Sequence, residues 1–190
     1  MKPFNLIITG YGGQGVLTLA EIIAKAAFVQ GYDVKQAELH GLAQRGGSLQ
    51  CHVRFGKEIF SSLVRKGNAN LIIALETVEA LRACYFANKK TIILTNKKIF
   101  RLPLELKVIL KKIKKYSKKL YVVSADEIIK KITGDITMVN TYVLGYALAK
   151  KLLPLKKEII WQTLKEKIHP EFLEENKKVL GEAFRKSPSI

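Results

Sequence analysis

The chain has 190 residues, of which 48% are hydrophobic, enough to bury the core of one globular domain. No apolar run is long enough to cross a bilayer, and the N-terminus does not have the pattern of a signal peptide. The two cysteines, Cys51 and Cys84, are too few for a disulfide framework and are not spaced as metal ligands. These features exclude a membrane-spanning or disulfide-stapled protein and predict a cytoplasmic one.

The net charge of +17 has three possible explanations: nucleic-acid binding, an acidic partner or anionic substrate, and solvated helix faces. Arginine is scarce beside lysine, and the lysine-rich stretch over residues 89–119 contains only Phe100 and Tyr116 as aromatics. The sequence therefore offers few side chains that could stack on nucleic-acid bases or make bidentate arginine contacts with them. Solvated surface is the leading interpretation, an acidic partner comes second, and nucleic acid is not expected.

The N-terminal stretch predicts a strand, a glycine-rich loop and a helix in direct succession. Residues 4–9 form an apolar run typical of a buried parallel strand, and residues 16–30 have helical periodicity. Between them, Gly10, Gly12 and Gly15 have the G-x-G-x-x-G spacing, which brings backbone close to a ligand at a helix N-terminus. The loop therefore predicts either an anion site or a tight turn needed only for packing.

A second strand is predicted over residues 33–38. A dinucleotide-binding domain needs an acidic residue at the end of this strand to hold the ribose hydroxyls. Glu38 is the only candidate, and it lies well past one helix length from Gly15. A nicotinamide cofactor is therefore possible but not favoured.

The next segment, residues 39–48, is the second stretch rich in polar chemistry. It places His40, Gln44 and Arg45 among three glycines directly after a strand, where open α/β sheets bind ligands. His40 could transfer protons, Gln44 could orient a polar group, and Arg45 could hold a carboxylate or phosphate. The alternative is a loop in which the glycines serve backbone geometry and Arg45 pairs with a nearby acid.

Residues 48–55 alternate in polarity and predict a strand with one face open to water or a partner. His52 is expected on this polar face rather than as a metal ligand. A turn at Gly56 and Lys57 predicts a hairpin whose second strand is residues 58–63.

The rest of the chain alternates strand and helix patterns. Strands are predicted over residues 70–76, 91–95 and 120–124, and helices over residues 78–87, 105–119, 124–131, 137–150, 156–168 and 171–185. The helix over residues 137–150 is rich in small residues, which predicts close approach of another element. The sequence thus predicts a single Rossmann-like α/β domain, residues 1–185, with a mainly parallel sheet flanked by helices. Residues 186–190 are expected to be a frayed tail.

The chain resembles the gamma domain of pyruvate and other 2-oxoacid:ferredoxin oxidoreductases, whose stand-alone form is the small subunit of indolepyruvate:ferredoxin oxidoreductase. Four motifs carry the resemblance: Gly10-x-Gly12-Gly13-Gln14-Gly15, His40-Gly41-x-x-Gln44-Arg45-Gly46-Gly47-Ser48, the run ending at Glu76, and Asn140-Thr-Tyr-Val-Leu-Gly145. The glycine loop is generic, but its pairing with the second motif is specific. Leu42 stands where the family often has methionine, a volume-conserving change.

The resemblance implies a complex that decarboxylates a 2-oxoacid, most commonly an aryl pyruvate, on thiamine diphosphate. The acyl group passes to coenzyme A, and electrons leave through iron–sulfur clusters to ferredoxin. The chain has no cysteine runs for clusters, and Gly134-Asp135 is not followed by the remainder of a thiamine diphosphate motif. Both cofactors are therefore expected on a larger partner subunit, in a heterotetramer, and this chain is not expected to be active alone.

In such a complex, the small subunit is expected to complete the active site or the coenzyme A site. The candidate catalytic residues are His40, Gln44 and Arg45, and no metal ligand is predicted. The candidate cofactor-binding residues are Gly10, Gly12, Gly13, Gln14, Gly15, Gly46, Gly47 and Ser48.

Two alternatives come from other functional classes. One is an autonomous nucleotide-binding Rossmann oxidoreductase built on the glycine loop, which the placement of Glu38 disfavours. The other is a basic nucleic-acid-binding module, which the shortage of arginine and aromatic residues disfavours.

Overall fold

The computed structural model describes residues 2–41, 47–99 and 105–186. In these residues, helices cover both faces of a six-stranded sheet. The strands are β1 (Phe4–Tyr11), β2 (Asp33–His40), β3 (Ser48–Gly56), β4 (Leu71–Ala74), β5 (Ile92–Asn96) and β6 (Lys119–Val123). The helices are α1 (Val16–Val29), α2 (Thr77–Ala83), α3 (Leu106–Ile113), α4 (Ala125–Thr133), α5 (Val139–Ala149), α6 (Lys157–Lys167) and α7 (Leu173–Arg185).

The strand order is β2-β3-β1-β4-β5-β6, so β1 is an interior strand, in agreement with the buried strand predicted over residues 4–9. β1, β4, β5 and β6 pair in parallel, whereas β3 runs antiparallel to both of its neighbours, β1 and β2. The apolar runs of β1 and β4 are buried because helices cover them on both faces. The predicted α/β class with a mainly parallel sheet is confirmed.

Most predicted elements are present with shifted ends. The predicted helix over residues 105–119 is only α3, because Ser117 is buried and its hydroxyl donates to the carbonyl of Thr91 at the start of β5. The helix predicted over residues 78–87 is α2 followed by one 3₁₀ turn. The predicted frayed tail lies outside the described residues except for Lys186, which caps α7. No helix among the described residues is both long and apolar enough to span a bilayer.

The predicted hairpin of residues 48–55 with residues 58–63 is wrong. Both edges of β3 are occupied by β1 and β2, so no edge is left for a third strand. The segment after β3 is instead held by side chains. The guanidinium of Arg54 donates to the carbonyl of Ser61 at 2.6 Å, and Asp33 accepts from the amide of Ile59 at 2.7 Å.

His52 is likewise not on an open polar face. It is only 1% exposed, because the segment after β3 and the ring of Phe86 cover it. Its Nδ1 accepts from the amide of Val64 at 3.0 Å, and burial, together with the charge of Arg54, lowers its pKa to about 4. The imidazole is therefore neutral at physiological pH, and it anchors the covering segment.

The two faces of the sheet carry separate apolar clusters. α1 and α4 to α7 pack on one face, whereas α2 and α3 pack on the other. Gly145 of α5 lies where a Cβ would come within 2.7 Å of the Cβ of Ala183 and 3.2 Å of the carbonyl oxygen of Leu180 in α7. This contact explains the small residues of α5 and confirms the predicted close approach of another element.

We predict that Gly145→Ala destabilises the protein by about 1–3 kcal/mol, because the added methyl forces α5 and α7 apart. Gly181→Ala is the matched control, since no atom lies within 4 Å of its added Cβ. It should stabilise α7 by up to about 1 kcal/mol through helix propensity. Urea denaturation measures both free energies of unfolding. Equal effects of the two substitutions would show that α5 and α7 are not closely packed at Gly145.

Candidate functional site

A pocket of about 460 Å³ lies at the carboxyl ends of the parallel strands, beside β1. Its lining residues are Gly12, Gly13, Gly15, Val16, Leu17, Thr18, His40, Gly47, Ser48 and Leu49. The amide of Gly12 donates to the carbonyl of Gly47 at 3.1 Å. The structure therefore joins the glycine loop and the second polar stretch in one site.

The glycine loop has a geometry that only glycine adopts easily. Gly13 and Gly15 have φ values of 95° and 76°, in the left-handed region. A Cβ on Gly15 would also lie 2.4 Å from the side-chain nitrogen of Asn140 in α5. The lack of a side chain at Gly15 therefore allows α5 to pack against the start of α1.

Gly10 and Gln14 support the loop from below and do not line the pocket. The side-chain oxygen of Gln14 accepts from the amide of Tyr11 at 2.7 Å, and the amide of Gln14 donates to the carbonyl of Tyr11 at 3.1 Å. A Cβ on Gly10 would come within 2.6 Å of that Gln14 oxygen. Gln14 closes the turn, so its role in this structure is to shape the site.

The first turn of α1 forms one wall of the pocket. Its N-cap, Gly15, supplies no side-chain hydrogen bond, and the turn contains no acidic residue. The amides at the start of a helix lack partners within the helix, and they lie at the positive end of its dipole. Leu17 and Thr18 of this turn line the pocket but were not predicted to do so. This wall is suited to an anionic group.

The opposite wall comes from the end of β2 and the start of β3. His40 is exposed at the pocket, and Ser48 lies beside it at the start of β3. The predicted site residues Gln44, Arg45 and Gly46 lie outside the described residues. Their predicted roles stay predictions.

A buried carboxylate beneath the pocket was missed by sequence reasoning. Glu79 of α2 is 1% exposed and accepts from the hydroxyl of Ser48 at 2.5 Å and from that of Thr9 at 3.3 Å. The guanidinium of Arg82 donates to its other oxygen at 2.6 Å. Glu79 therefore ties β1 and β3 to α2 directly under the pocket wall.

The sequence signal for this carboxylate was weak. In the sequence Glu76 stands out only as the end of one family motif; in the structure it caps α2, accepting from the amide of Glu79 at 2.5 Å. Both side chains are buried, and together with burial they raise the pKa of the Tyr11 phenol. The available signal was the pair Glu76 and Glu79, two acids three residues apart directly after a buried strand. Residues so placed fall in the first turn of the following helix, at the carboxyl edge of the sheet.

The topology argues against a nicotinamide dinucleotide. Such a domain places the strand with the ribose-binding acid next to β1. Here β3 lies between β1 and β2, so the end of β2 is about 10 Å from β1. Glu38 is exposed and interacts with Gln36 on the same strand. It is too far out in the sheet to take that role.

The described part of the chain contains no candidate metal site. No group of three or more His, Cys, Asp or Glu side chains there could hold a metal ion. Cys51 and Cys84 are buried, free and apart from the pocket. Burial raises both thiol pKa values to about 12, so neither forms a thiolate at neutral pH.

The fold and the pocket define a Rossmann-like α/β domain with an anion-suited site at its carboxyl edge. Residues 5–186 match the family model described as pyruvate ferredoxin/flavodoxin oxidoreductase. The chain is 34% identical to indolepyruvate oxidoreductase subunit IorB of Archaeoglobus fulgidus, over 97% of this chain and 96% of that protein. It is 28% identical to the pyruvate/ketoisovalerate oxidoreductases common subunit gamma of Pyrococcus furiosus, over 94% of each.

A solved structure also has the same fold. The gamma subunit of a keto/oxoacid ferredoxin oxidoreductase from Geobacter sulfurreducens superposes with a TM-score of 0.73 at 19% identity, over 97% of this chain and 98% of that one. The chain belongs to the pyruvate ferredoxin/flavodoxin oxidoreductase family. It is a subunit of a 2-oxoacid:ferredoxin oxidoreductase.

We predict that Glu79→Gln lowers the free energy of unfolding by about 1.5–3 kcal/mol, because hydrogen bonds to a charged group are lost. The neutral amide cannot accept from Ser48 and Arg82 together as the carboxylate does. Glu174→Gln is the control, since this 78% exposed carboxylate only approaches Lys177 at 4.0 Å. It should change stability by less than about 1 kcal/mol. Equal effects in urea denaturation would contradict a supporting role for Glu79.

Proposed function

We propose that this chain is the small subunit of an indolepyruvate-type, aryl-pyruvate-oxidising complex and completes its active site or its coenzyme A site. The 2-oxoacid loses its carboxylate as CO₂, and its carbonyl carbon is oxidised by two electrons. That carbon forms a thioester with the sulfur of coenzyme A, the thiol proton is released, and the electrons reduce ferredoxin. Thiamine diphosphate and the iron–sulfur clusters belong to a larger partner subunit in a cytoplasmic heterotetramer.

One observation carries this proposal: the pocket joins residues from two of the four motifs on which the family resemblance rests. Gly12 and Gly47 are hydrogen-bonded to each other, and His40 and Ser48 lie in the same wall. The pocket is open, and its lining contains no acidic side chain. A surface of this kind can receive a neighbouring subunit together with an anionic ligand.

The anion at the start of α1 is, in this proposal, a phosphate of coenzyme A or a carboxylate side chain of the large subunit. Two features support this assignment. The amides of the first turn of α1 are open to a ligand, and the space beside Gly13 is empty, since no atom lies within 4 Å of a Cβ built there. A charge of +17 adds long-range attraction for anions. The proposal assigns this loop to ligand contact and not to packing alone.

The segment from His40 to Ser48 faces the reaction centre in this proposal. His40 is exposed and available for proton transfer, whereas Ser48 is oriented by Glu79. Gln44 and Arg45, predicted from the sequence, would contact the substrate or the large subunit. Removal of an interfacial, hydrogen-bonded charge such as Arg45 typically costs about 2–5 kcal/mol in binding.

The preference for an aryl pyruvate is supported by the Archaeoglobus fulgidus relative, which is named as an indolepyruvate oxidoreductase subunit and matches nearly the whole chain. Relatives named for pyruvate and ketoisovalerate are matched over a similar share, but at lower identity. The substrate is therefore proposed as indolepyruvate or phenylpyruvate, with pyruvate and ketoisovalerate as the competing substrates to be tested.

Co-expression with the large subunit of the same organism tests this function. The purified complex should reduce ferredoxin in a reaction that requires both a 2-oxoacid and coenzyme A, with the highest kcat/KM for an aryl pyruvate. The small subunit alone should show no activity and no stoichiometric iron. Oxidoreductase activity of the isolated chain with a nicotinamide or flavin would support the autonomous alternative instead.

We predict that Thr18→Glu impairs the complex without destabilising the chain. A carboxylate in the first turn of α1 favours the helix by about 0.3–1 kcal/mol, so the melting temperature should not fall. The same charge in the pocket should raise the KM for coenzyme A about tenfold, through like-charge repulsion.

Thr18→Gln is the matched control, because it adds the same bulk without charge and should have little effect on KM. If the bound anion is a carboxylate of the large subunit, Thr18→Glu should weaken assembly and leave that KM unchanged. Normal assembly and a normal KM for coenzyme A would contradict an anion site at this helix.

A further inference from the structure

Phe60 is 87% exposed, more than any other large hydrophobic side chain among the described residues. Its backbone is nevertheless held on both sides. The amide of Ile59 donates to the carboxylate of Asp33 at 2.7 Å, and the carbonyl of Ser61 accepts from the guanidinium of Arg54 at 2.6 Å. The ring of Phe60 is therefore presented to solvent by an anchored segment.

The segment that carries Phe60 lies at the end of the sheet opposite the candidate site. It follows β3, whose antiparallel register places Phe55 beside Phe4 at the start of β1. Phe60 and Leu63 line a cavity of about 480 Å³ together with Pro3, the residue before β1. This is the end of the sheet at which the parallel strands begin.

A second cavity, of about 400 Å³, continues the same surface. Gly67, Ala87 and Tyr116 line it, and they precede β4, β5 and β6 respectively. Arg65 lines the first cavity and the next residue, Lys66, lines the second, so the two cavities adjoin. We call the surface formed by Phe60, Leu63, Arg65, Lys66, Tyr85 and Tyr116 the amino edge.

Four of the six side chains of the amino edge are apolar or aromatic and exposed. Leu63 is 47% exposed, Tyr85 57% and Tyr116 46%, beside the 87% of Phe60. One exposed apolar side chain is ordinary on a protein surface, but several along one edge indicate a contact surface.

Positive charge surrounds these side chains. Residues 111–119, at the end of α3 and before β6, contain six lysines, all exposed, and no acid. Within the described part of the chain, neither these lysines nor Arg65 and Lys66 have an ion-pair partner. One acid, Glu58, lines the first cavity. Like charges at this density repel one another, and an anionic partner removes that repulsion.

We propose that the amino edge binds the headgroup surface of an anionic lipid bilayer, so that the protein is held peripherally at a membrane. Clustered lysines and arginines are attracted to anionic headgroups, and the attraction adds up over the residues near the surface. Phe60 and Leu63 enter the boundary between headgroups and acyl chains, where aromatic and apolar side chains are favoured. This inference does not rest on the proposed function.

Two other occupants fit the amino edge less well. A protein partner has to supply a pocket for a ring that protrudes as far as that of Phe60, whereas a bilayer interface needs no preformed pocket. A single-stranded nucleic acid needs aromatic rings that are free to stack on bases. Here the ammonium group of Lys66 lies 5.4 Å from the centre of the Tyr85 ring, which is also in edge contact with Phe86.

Sedimentation of the full chain with lipid vesicles tests the charge component. At low salt, binding to vesicles of phosphatidylcholine with phosphatidylglycerol should exceed binding to pure phosphatidylcholine vesicles at least about tenfold. Arg65→Glu with Lys66→Glu should lower binding to the anionic vesicles at least about tenfold, and high salt should remove this difference. Lys177→Glu with Lys178→Glu is the matched control, because it makes the same change in net charge on exposed residues of α7. It should keep binding within about threefold of wild type.

Phe60→Ser tests the apolar component. It should lower binding to the anionic vesicles about tenfold, because a large apolar side chain is no longer buried. The melting temperature should not fall, since this side chain is already in water. Phe172→Ser is the matched control, because Phe172 is 46% exposed and lines a different cavity, with Asn140. It should keep binding within about twofold of wild type.

Phe60→Trp reports insertion directly. Trp161 of α6 is the single tryptophan of the chain, so the wild type is the control for its signal. On addition of the anionic vesicles, the fluorescence emission of the variant should shift to shorter wavelength, whereas that of the wild type should not.

Three results would overturn the proposal: equal binding to neutral and anionic vesicles, equal effects of Phe60→Ser and Phe172→Ser, or no spectral shift in Phe60→Trp. Two further results would overturn it by assigning the amino edge to another occupant. One is a dimer in solution that Phe60→Ser dissociates, without vesicle binding. The other is binding of a labelled oligonucleotide that Arg65→Glu with Lys66→Glu abolishes, again without vesicle binding.

Discussion

The pairing of β3 between β1 and β2 is the constraint on which the rest of the structure depends. β3 is the only strand of the described sheet that runs opposite to the other five, and both of its edges are hydrogen-bonded. Its register pairs Ser48 with Tyr11, so the start of β3 lies beside the glycine loop. A slip of one residue would turn Cys51 and Val53 away from the core, which fixes this register strongly. The pocket forms because this register brings Gly47 and Ser48 of the polar stretch next to the glycine loop.

The same pairing separates this subunit from an autonomous dinucleotide-binding domain. With β3 inserted, Glu38 of β2 does not line the pocket, and a serine held by the buried Glu79 lies beside the glycine loop instead. The glycine loop retains the left-handed glycines of such domains, but the pocket beside it is open and no acidic side chain lines it. We propose that this open site receives a group from outside the chain, as expected of a subunit.

Much of this architecture could be predicted from sequence because continuous apolar runs and helical periodicity report burial directly. The glycine loop and His40 were found because glycines and polar side chains cluster after strands. The hairpin after β3 was mispredicted because periodicity does not show which strand edges are already occupied. The burial of His52 was missed for a related reason, since a covering segment of irregular structure leaves no pattern in the sequence. Glu79 was missed because a glutamate in a helix normally faces solvent.

The account places the large subunit at the carboxyl edge of the sheet, and hydrogen–deuterium exchange on the free chain and on the assembled complex tests this placement most directly. Assembly with the large subunit should slow amide exchange in residues 12–18 and 47–49, which include most of the pocket lining. Exchange in residues 84–90 and 114–118, at the opposite edge of the sheet, should stay as fast as in the free chain. Protection confined to those two segments, with unchanged exchange around the glycine loop, would contradict the account.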